Sequence, residues 1–473
     1  MSDKSLTAKE RLAIERTHMP EQPAEKRARN FTEVNLGLAE AAAIEEARRC
    51  LLCKNRPCVQ GCPVGVRIPE FLERIAAGDL RGAAEILRAD NALPATTGRV
   101  CPQEKQCEAK CVRGLKGEPV AVGWLERFVA DWAMEHLAPP SAPTTKTGFR
   151  VAIVGSGPGG LTAAGELARL GHDVTVFEAL HAPGGVLRYG IPEFRLPKAI
   201  VDREVKNLQA MGVKIECNVI VGKTLTVAEI LREFDACFIA NGAGLPVFLH
   251  VPGENLKGVY SANEYLTRVN LMGAYKPQGR TPIARGAIAV VFGGGNTAMD
   301  AVRTAKRLGS TRAILAYRRG RDEMPARAEE IKHAEEEGIE FMFLLAPLEI
   351  LGNDDGWVRA VRLQRMELGA PDASGRRRPV PIPGSEFELA ADIIVVAVGT
   401  RANPLLTATC PDLKLNKWGN IEIDANGMTS IPGVFAGGDI VRGGATVILA
   451  MGDGKTAAAS IDRYLRENKV ARR

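Results

Sequence analysis

Short apolar runs that end in glycine recur through the last two-thirds of this chain, each followed by small and apolar residues at helical spacing. Val151 to Val154 is too short for a helix and predicts a buried strand. Leu161 to Leu170 then has helical spacing, Gly171 stops it, and Asp173 to Phe177 predicts a second strand ending at Glu178. A helix over Val201 to Met211 and strands over Val213 to Val219 and Phe234 to Gly242 follow. The pattern restarts with a strand at Ile288 to Phe292, a helix from about Thr297 to Leu308 and a strand ending at Tyr317. Asp392 to Gly399 predicts the strand that closes this second unit. Gly433 to Asp439 reads as a strand that returns to the first unit, before a long helix of small residues.

The first 145 residues differ. Residues 1–37 are polar, Thr32 to Arg49 has helical composition, and Ile68 to Leu87 predicts two short helices parted by Gly78. His136 to Gly148 is a Pro/Thr-rich linker. The expected fold class is α/β, with two Rossmann-like dinucleotide-binding domains, one inserted in the other, behind an α-helical N-terminal domain. The expected extents are 1–145 for the helical domain, 146–248 and 402–473 for the first nucleotide domain, and 249–401 for the inserted one. An acidic helix, PARAEEIKHAEEEG, lies between Thr311 and Leu345. Its charges predict a solvated face, and His333 there reads as structural.

The glycines carry the candidate chemistry. Gly155, Gly157 and Gly160, with Pro158 and Gly159 between them, give G-x-G-x-x-G between strand and helix. The first glycine permits the tight turn, the second lets backbone approach a pyrophosphate, and the third lets helix and strand pack closely. The helix N-terminus offers unpaired N–H groups to phosphates, and Glu178 can accept from a ribose hydroxyl. Gly185 and Arg188 lie on the following glycine-rich loop, which can pass close to a flat ring. Near the C-terminus, Gly438, Asp439, Ala445, Thr446 and Val447 are candidates for ribityl, phosphate or ring contacts. The repeat offers Gly293, Gly294, Gly295, Asn296 and Thr297, and Gly293, Gly295 and Ala298 satisfy G-x-G-x-x-A. Where the first unit has Glu178, the second has Arg318 and Arg319. An acid there repels a 2′-phosphate and guanidinium groups bind one, so NADP(H) is expected over NAD(H).

Composition changes this picture at one point. Seven of the ten cysteines fall between Cys50 and Cys111, an odd cluster that argues for metal rather than disulfides. Cys50, Cys53, Cys58 and Cys62 precede Pro63 in a run similar to bacterial ferredoxins, and Cys101, Cys107 and Cys111 form a second set. Seven thiolates leave two four-ligand clusters one ligand short, and Glu126 is the best candidate for the eighth. Zinc is the rival, but the gaps are not paired C-x2-C knuckles and His136 is the only nearby histidine. The net charge of +6 and 5% aromatic content give nucleic-acid binding little support. No uncharged apolar run approaches a membrane span, and the charged N-terminus lacks a signal core, so a cytoplasmic protein without a membrane role is expected.

Taken together, CLLCKNRPCVQGCPVGVRIPEF, GRVCPQEKQCEAKC, VGWLERFVAD, GSGPGG, YGIPEFRLPK, GGGNTAMD, YRRGRDEMP and AGGDIVRG resemble the small (β) subunit family of NADPH-dependent glutamate synthase, over nearly the whole chain. The N-terminal portion of dihydropyrimidine dehydrogenase and the large subunit of NADH-dependent ferredoxin:NADP oxidoreductase look similar too. The resemblance implies FAD in the first nucleotide domain, NADPH in the second and two [4Fe–4S] clusters. It also implies the sorting of ligands: Cys50, Cys53, Cys58 and Cys111 for one cluster, and Cys62, Cys101, Cys107 and Glu126 for the other. Gly98 stands where many relatives carry a further cysteine, a departure expected to have little consequence.

The function expected is that of an NADPH-oxidising iron–sulfur flavoprotein subunit. It passes hydride to FAD and single electrons through the clusters to a larger subunit that carries amidotransferase and FMN chemistry and makes L-glutamate from L-glutamine and 2-oxoglutarate. No catalytic side chain is needed, because the cofactors carry the chemistry. A hetero-oligomer follows from that reading. The main rival is the large subunit of a bifurcating NADH-dependent ferredoxin:NADP oxidoreductase, partnered by a small flavoprotein subunit. A disulfide reductase would need a close cysteine pair, and Cys217 and Cys237 are separated along the chain.

Overall fold

The computed structural model describes residues 6–372 and 375–471. Sixteen strands run in chain order: β1 Arg150–Val154, β2 Asp173–Glu178, β3 Lys214–Cys217, β4 Ala236–Ile239, β5 Leu245–Pro246, β6 Val259–Ser261, β7 Ile288–Phe292, β8 Arg312–Tyr317, β9 Glu340–Phe343, β10 Leu345–Gly352, β11 Val358–Pro371, β12 Arg377–Pro381, β13 Phe387–Ala390, β14 Ile393–Val396, β15 Thr400–Arg401 and β16 Val434–Ala436. They form two five-stranded parallel sheets, β16-β4-β1-β2-β3 and β6-β14-β7-β8-β9. The two orders match position by position, so the repeat read from the glycines is a repeat of architecture. Strands buried on both faces need no polar alternation, which is why β1 and β7 appear in the sequence as continuous apolar runs.

The chain leaves the first sheet and returns to it through a two-stranded antiparallel ribbon, β5 against β15. The return ends with β16 beside β4, with Val434 opposite Cys237. Helix Val447–Ala471 then lies along helix Pro158–Arg169. Glycine permits that approach: a Cβ on Gly454 would strike Gly159 O, and one on Gly159 would stand 2.9 Å from Ala450 O.

Three parts depart from expectation. First, β10, β11, β12 and β13 form an antiparallel sheet that the apolar pattern did not announce. Second, the helix expected from Thr32 begins only at Glu40 and spans Glu40–Arg48. The preceding residues are held extended by tertiary pairing: Gln22 N donates to Val34 O at 2.9 Å and Val34 N to Phe194 O at 2.9 Å. Third, the acidic helix Ala328–Glu336 is solvated only in part, at Lys332, Glu335 and Glu336. Glu330 and the adjoining Glu337 are buried against Arg303 and Arg307 of helix Asn296–Arg307, and buried His333 stands 3.2 Å from Glu21 Oε2. Paired guanidiniums overcome a desolvation penalty that would otherwise keep such carboxylates at the surface.

The N-terminal part packs helices Glu40–Arg48, Ile68–Ala76, Leu80–Asp90, Pro94–Val100 and Val122–His136 around Phe71, Leu72, Ile75, Leu87 and Leu125. Gly98 is a contact point rather than an idle departure. An added Cβ would lie 2.5 Å from Arg127 N, so a side chain there forces helices Pro94–Val100 and Val122–His136 apart. No helix among the described residues is long and apolar enough to cross a membrane.

Candidate active site

A single cavity of about 1950 Å³ runs between the two parallel sheets. Pockets for one small molecule are typically about 300–1000 Å³, so this space suits two large ligands meeting. Both glycine loops open into it. Gly155 (φ +98°) and Gly293 (φ +145°) occupy conformations that disfavour a side chain, and a Cβ on each would also meet Ala240 O and Ala397 O respectively. Gly160 sits behind the loop, where a Cβ would strike Gly155 O. Gly157 caps helix Pro158–Arg169 and Gly295 caps helix Asn296–Arg307, neither with a capping side chain. Pro158 has no N–H and Ala298 N donates to Gly295 O at 3.0 Å, so the first-turn N–H groups that border the cavity are those of Gly159, Asn296 and Thr297, an arrangement that suits phosphate. The fit is a matter of space as well as charge: nothing stands within 4 Å of a Cβ built on Gly157.

The cavity wall includes Gly155, Gly157, Pro158, Gly159, Glu178 and Gly185 from the first unit and Gly293, Gly294, Gly295, Asn296, Thr297, Arg318 and Arg319 from the second. The C-terminal candidates Gly438, Asp439, Ala445, Thr446 and Val447 complete it. Glu178 is already engaged. Its Oε2 accepts from Ser156 N at 2.9 Å and from the Ser156 hydroxyl, and its Oε1 accepts from Leu180 N at 2.8 Å. A carboxylate has about four acceptor sites, so capacity for a ligand hydroxyl remains. Burial pushes the Asp439 carboxyl up to about 6, against the Ala445 N–H that donates to it at 3.2 Å.

Two arginines do not behave as the sequence suggested. Arg188 turns away from the cavity, donating to Pro183 O at 2.8 Å and to Asp202. Arg319 borders the cavity but is tied to Asp372 at 2.6 Å and to Arg377 O at 2.8 Å, so it braces the β11–β12 hairpin. Arg318 is exposed, and among the described residues it has no hydrogen bond or ion pair. The wall also holds residues that the glycine motifs did not point to. Tyr189, whose hydroxyl burial pushes up to about 12, faces Asp439 and Glu178, and Arg376 arrives from the antiparallel sheet. Tyr189 lies in the YGIPEF motif, the one signal that could have marked it.

The seven clustered thiols divide into two sets by the charges they face. Cys50 faces Cys58, Cys111 and Cys53, and Cys58 faces Cys111 and Cys53. Cys101 faces Glu126 and Cys62, and Cys107 faces Cys101, Cys62 and Glu126. Burial pushes the Cys50 thiol up to about 12 and Cys58 to about 11, with the neighbouring thiols adding to the rise. Glu126 is buried on helix Val122–His136. Burial raises it to about 7, although Asn91 and Thr97 each donate to its Oε1 at 2.7 Å. Grouped thiols, three of them buried, and a buried carboxylate suit a metal group, which deprotonates its ligands outright. Sequence composition alone would have left Glu126 on a solvated face. The ten cysteines are all free, so no disulfide competes for these thiols.

The inner set touches the cavity. Val100 and Pro102, on either side of buried Cys101, line its wall. Helix Val447–Ala471 reaches the same region: Lys455 Nζ donates to Val64 O and Asp90 O, both at 2.8 Å. The outer set lies toward the surface, where Lys54, Asn55 and Arg56 are exposed.

Residues 149–454 match the pyridine nucleotide-disulphide oxidoreductase family, and residues 27–138 match dihydropyrimidine dehydrogenase domain II, 4Fe-4S cluster. The chain is 39% identical to the glutamate synthase [NADPH] small chain of Azospirillum brasilense, over 96% of this chain and 95% of that protein. It is 40% identical to the NADP(+)-dependent formate dehydrogenase subunit beta of Moorella thermoacetica, over 88% of this chain and 60% of that protein. The structure of Mycobacterium tuberculosis FprA in complex with NADPH shares the fold, with a TM-score of 0.58 at 23% identity, over 68% of this chain and 86% of that one. The fold and cavity thus define an NADPH-dependent oxidoreductase of the flavoprotein class, joined to an iron–sulfur domain. Within that class, the chain belongs to the family of the small chain of NADPH-dependent glutamate synthase.

Proposed function

We propose that this protein is the electron-entry subunit of a cytoplasmic glutamate synthase, supplying a larger amidotransferase and FMN subunit that makes L-glutamate from L-glutamine and 2-oxoglutarate. Residues 146–248 and 402–473 form its FAD-binding part, 249–401 its NADPH-binding part, and 1–145 its helical part with two [4Fe–4S] clusters. When bound, FAD would supply two-electron hydride acceptance from NADPH, and the clusters would supply single-electron transfer toward the partner.

The chain's own residues bind and orient. The open N–H groups behind Gly157 and Gly295 would hold the two pyrophosphates, and Arg318 would bind the 2′-phosphate. Ser156, by holding Glu178, fixes the acid at the ribose end. Cys62, Cys101, Cys107 and Glu126 would hold the inner cluster, and Cys50, Cys53, Cys58 and Cys111 the outer one. The observation that carries this reading is the Cys101 loop, which is at once cavity wall and inner thiol set.

Arg318→Ala is expected to raise KM for NADPH by roughly 10-fold or more, in line with loss of one charge-assisted contact, while leaving KM for NADH nearly unchanged. Steady-state kinetics with both nucleotides checks this. The partner is tested by anaerobic pull-down from native extract. Recovery of a large amidotransferase supports the reading. A small flavoprotein with a [2Fe–2S] centre points instead to a ferredoxin:NADP oxidoreductase. A partner other than an amidotransferase is the second reading, because a similar module occurs within the longer NADP(+)-dependent formate dehydrogenase subunit beta of Moorella thermoacetica.

A further inference from the structure

Residues 325–328 touch two sites at once. On one side, Ala326 N donates to Gly294 O at 3.3 Å and Arg327 N donates to Asn296 Oδ1 at 2.9 Å, so the segment buttresses the second glycine loop. On the other, the Arg327 guanidinium donates to Arg99 O at 3.0 Å and Gln103 Oε1 at 3.1 Å, the residues that bracket Cys101. Lys105 and Glu104 fasten the same contact: Lys105 Nζ donates to Pro325 O at 2.9 Å, and Ala328 N donates to Glu104 Oε1 at 3.3 Å. Gln103 Nε2 in turn donates to Thr97 O at 3.3 Å, and the Thr97 hydroxyl donates to Glu126 Oε1 at 2.7 Å. One continuous set of contacts therefore joins Asn296 to Cys101 and Glu126.

Arg327 is buried, with 5% of its surface exposed. A strut alone does not require a buried cation, since apolar residues of like volume hold two segments together without the desolvation penalty. The charge is placed where it matters for electrons. The Arg327 guanidinium holds both sides of the Cys101 loop, at Arg99 O and Gln103 Oε1, and two carboxylates attend it: Glu329 Oε2 accepts from it at 2.8 Å and Glu104 Oε2 stands 3.7 Å from its Nε. A cation beside an iron–sulfur site favours the reduced, more negative form, because net charge and outer hydrogen bonds set the potential.

We propose that Arg327 is a positioning residue that couples the nicotinamide-nucleotide loop to the inner iron–sulfur site, so that nucleotide binding and electron acceptance favour one another. This rests on the assignment of Cys62, Cys101, Cys107 and Glu126 to such a site. Nucleotide held at Asn296 fixes residues 325–328 and with them the guanidinium against the Cys101 loop. By thermodynamic reciprocity, an electron on the inner site then tightens the nucleotide.

The test is a redox titration of the reconstituted full chain, followed by electron paramagnetic resonance, with and without NADP+. In Arg327→Gln the inner site should fall at least about tenfold in its reduction equilibrium constant, about 59 mV for a one-electron couple. The carboxylates of Glu104 and Glu329 are then left facing it, while the outer site stays in place as internal control. NADP+ should raise the inner potential of the native protein by at least about fivefold in the same constant, and the variant should lose that response. Arg327→Lys keeps the charge without the planar fork, so it should retain the potential and lose the response to NADP+. If the Gln variant fails to fold, the Lys variant decides. An inner potential that moves no more than the outer one, or a nucleotide response that survives both variants, overturns the proposal. A native protein that takes up no iron overturns the functional reading itself, and this proposal with it.

Discussion

Cys101→Ser should separate NADPH oxidation from electron delivery. The variant is expected to bind FAD and to lose its yellow colour when NADPH is added, because both glycine loops are intact. Its delivery of electrons to the partner subunit should fall by more than the roughly 10–100-fold that loss of an outer metal-site contact costs, with a parallel loss of iron. The reason is position: Cys101 is buried between Val100 and Pro102, both of which face the nucleotide cavity. Anaerobic flavin bleaching and partner-dependent turnover, measured on one preparation, give the two halves of the result. Cys410→Ser, half-buried and far from both thiol sets in sequence, serves as control and should leave both unchanged. Equal loss of bleaching and turnover would mean that Cys101 supports the flavin cavity and not an electron path.

The second large effect concerns stability. Glu337 is a single buried carboxylate facing three guanidiniums. It accepts from Arg27 at 3.2 Å, from Arg303 at 3.0 and 2.7 Å, and from Arg307 at 2.6 and 2.9 Å. Phe194 stacks against the same cluster, 3.8 Å from the Arg307 guanidinium carbon, so the loop before Lys198 is tied into it. Glu337→Gln leaves three buried cations short of their counter-charge, and removal of one partner from such a set costs about 3–5 kcal/mol. Denaturant unfolding should show that loss. Glu340→Gln, whose pair with Arg312 lies at the surface, should leave stability nearly unchanged.

The same cluster sets an acid limit. Burial alone would raise the Glu330 carboxyl, but Arg195 and Arg303 overcome it and hold the group down to about 2. Glu337 is likewise held well below the usual carboxylate range, by Arg307 and Arg303 against burial. A depressed carboxylate binds fewer protons folded than unfolded. Its stabilisation is therefore present in full above the unfolded value of about 4.3 and drains away as pH falls toward about 2. A stability profile between those limits should be steep in the native protein and shallower in Glu337→Gln.

The two nucleotide units were legible because their signals are local. Buried parallel strands read as continuous apolar runs, and each glycine loop follows its strand directly, so β1, β2, β7 and β8 fall within a residue or two of the expected bounds. The antiparallel sheet was not legible. Its long strand, VRAVRLQRMELGAP, mixes arginine and glutamine with apolar residues because it is half exposed, and it has neither helical nor strict strand periodicity. The fates of Arg188 and Arg319 depend on partners at Asp202 and Asp372, and nothing near them in sequence signals either. The buried face of helix Ala328–Glu336 was hidden for the same reason: Glu330 looks like any surface acid until Arg303 and Arg195 are folded against it. Glu126 was the opposite case. The shortage of one ligand pointed to it, and the structure buries it beside Cys62 and Cys101.

In the proposed function, one polypeptide leads electrons from a nicotinamide cavity through an inner and then an outer thiol-held site. Rapid anaerobic mixing of the reconstituted protein with NADPH, with freeze-quenched samples taken for electron paramagnetic resonance, follows each centre in time. Flavin bleaching is expected first and two distinct iron–sulfur signals afterwards; in Cys101→Ser the flavin should still bleach while both signals are lost. Flavin that bleaches fully while no iron–sulfur signal ever develops would contradict it.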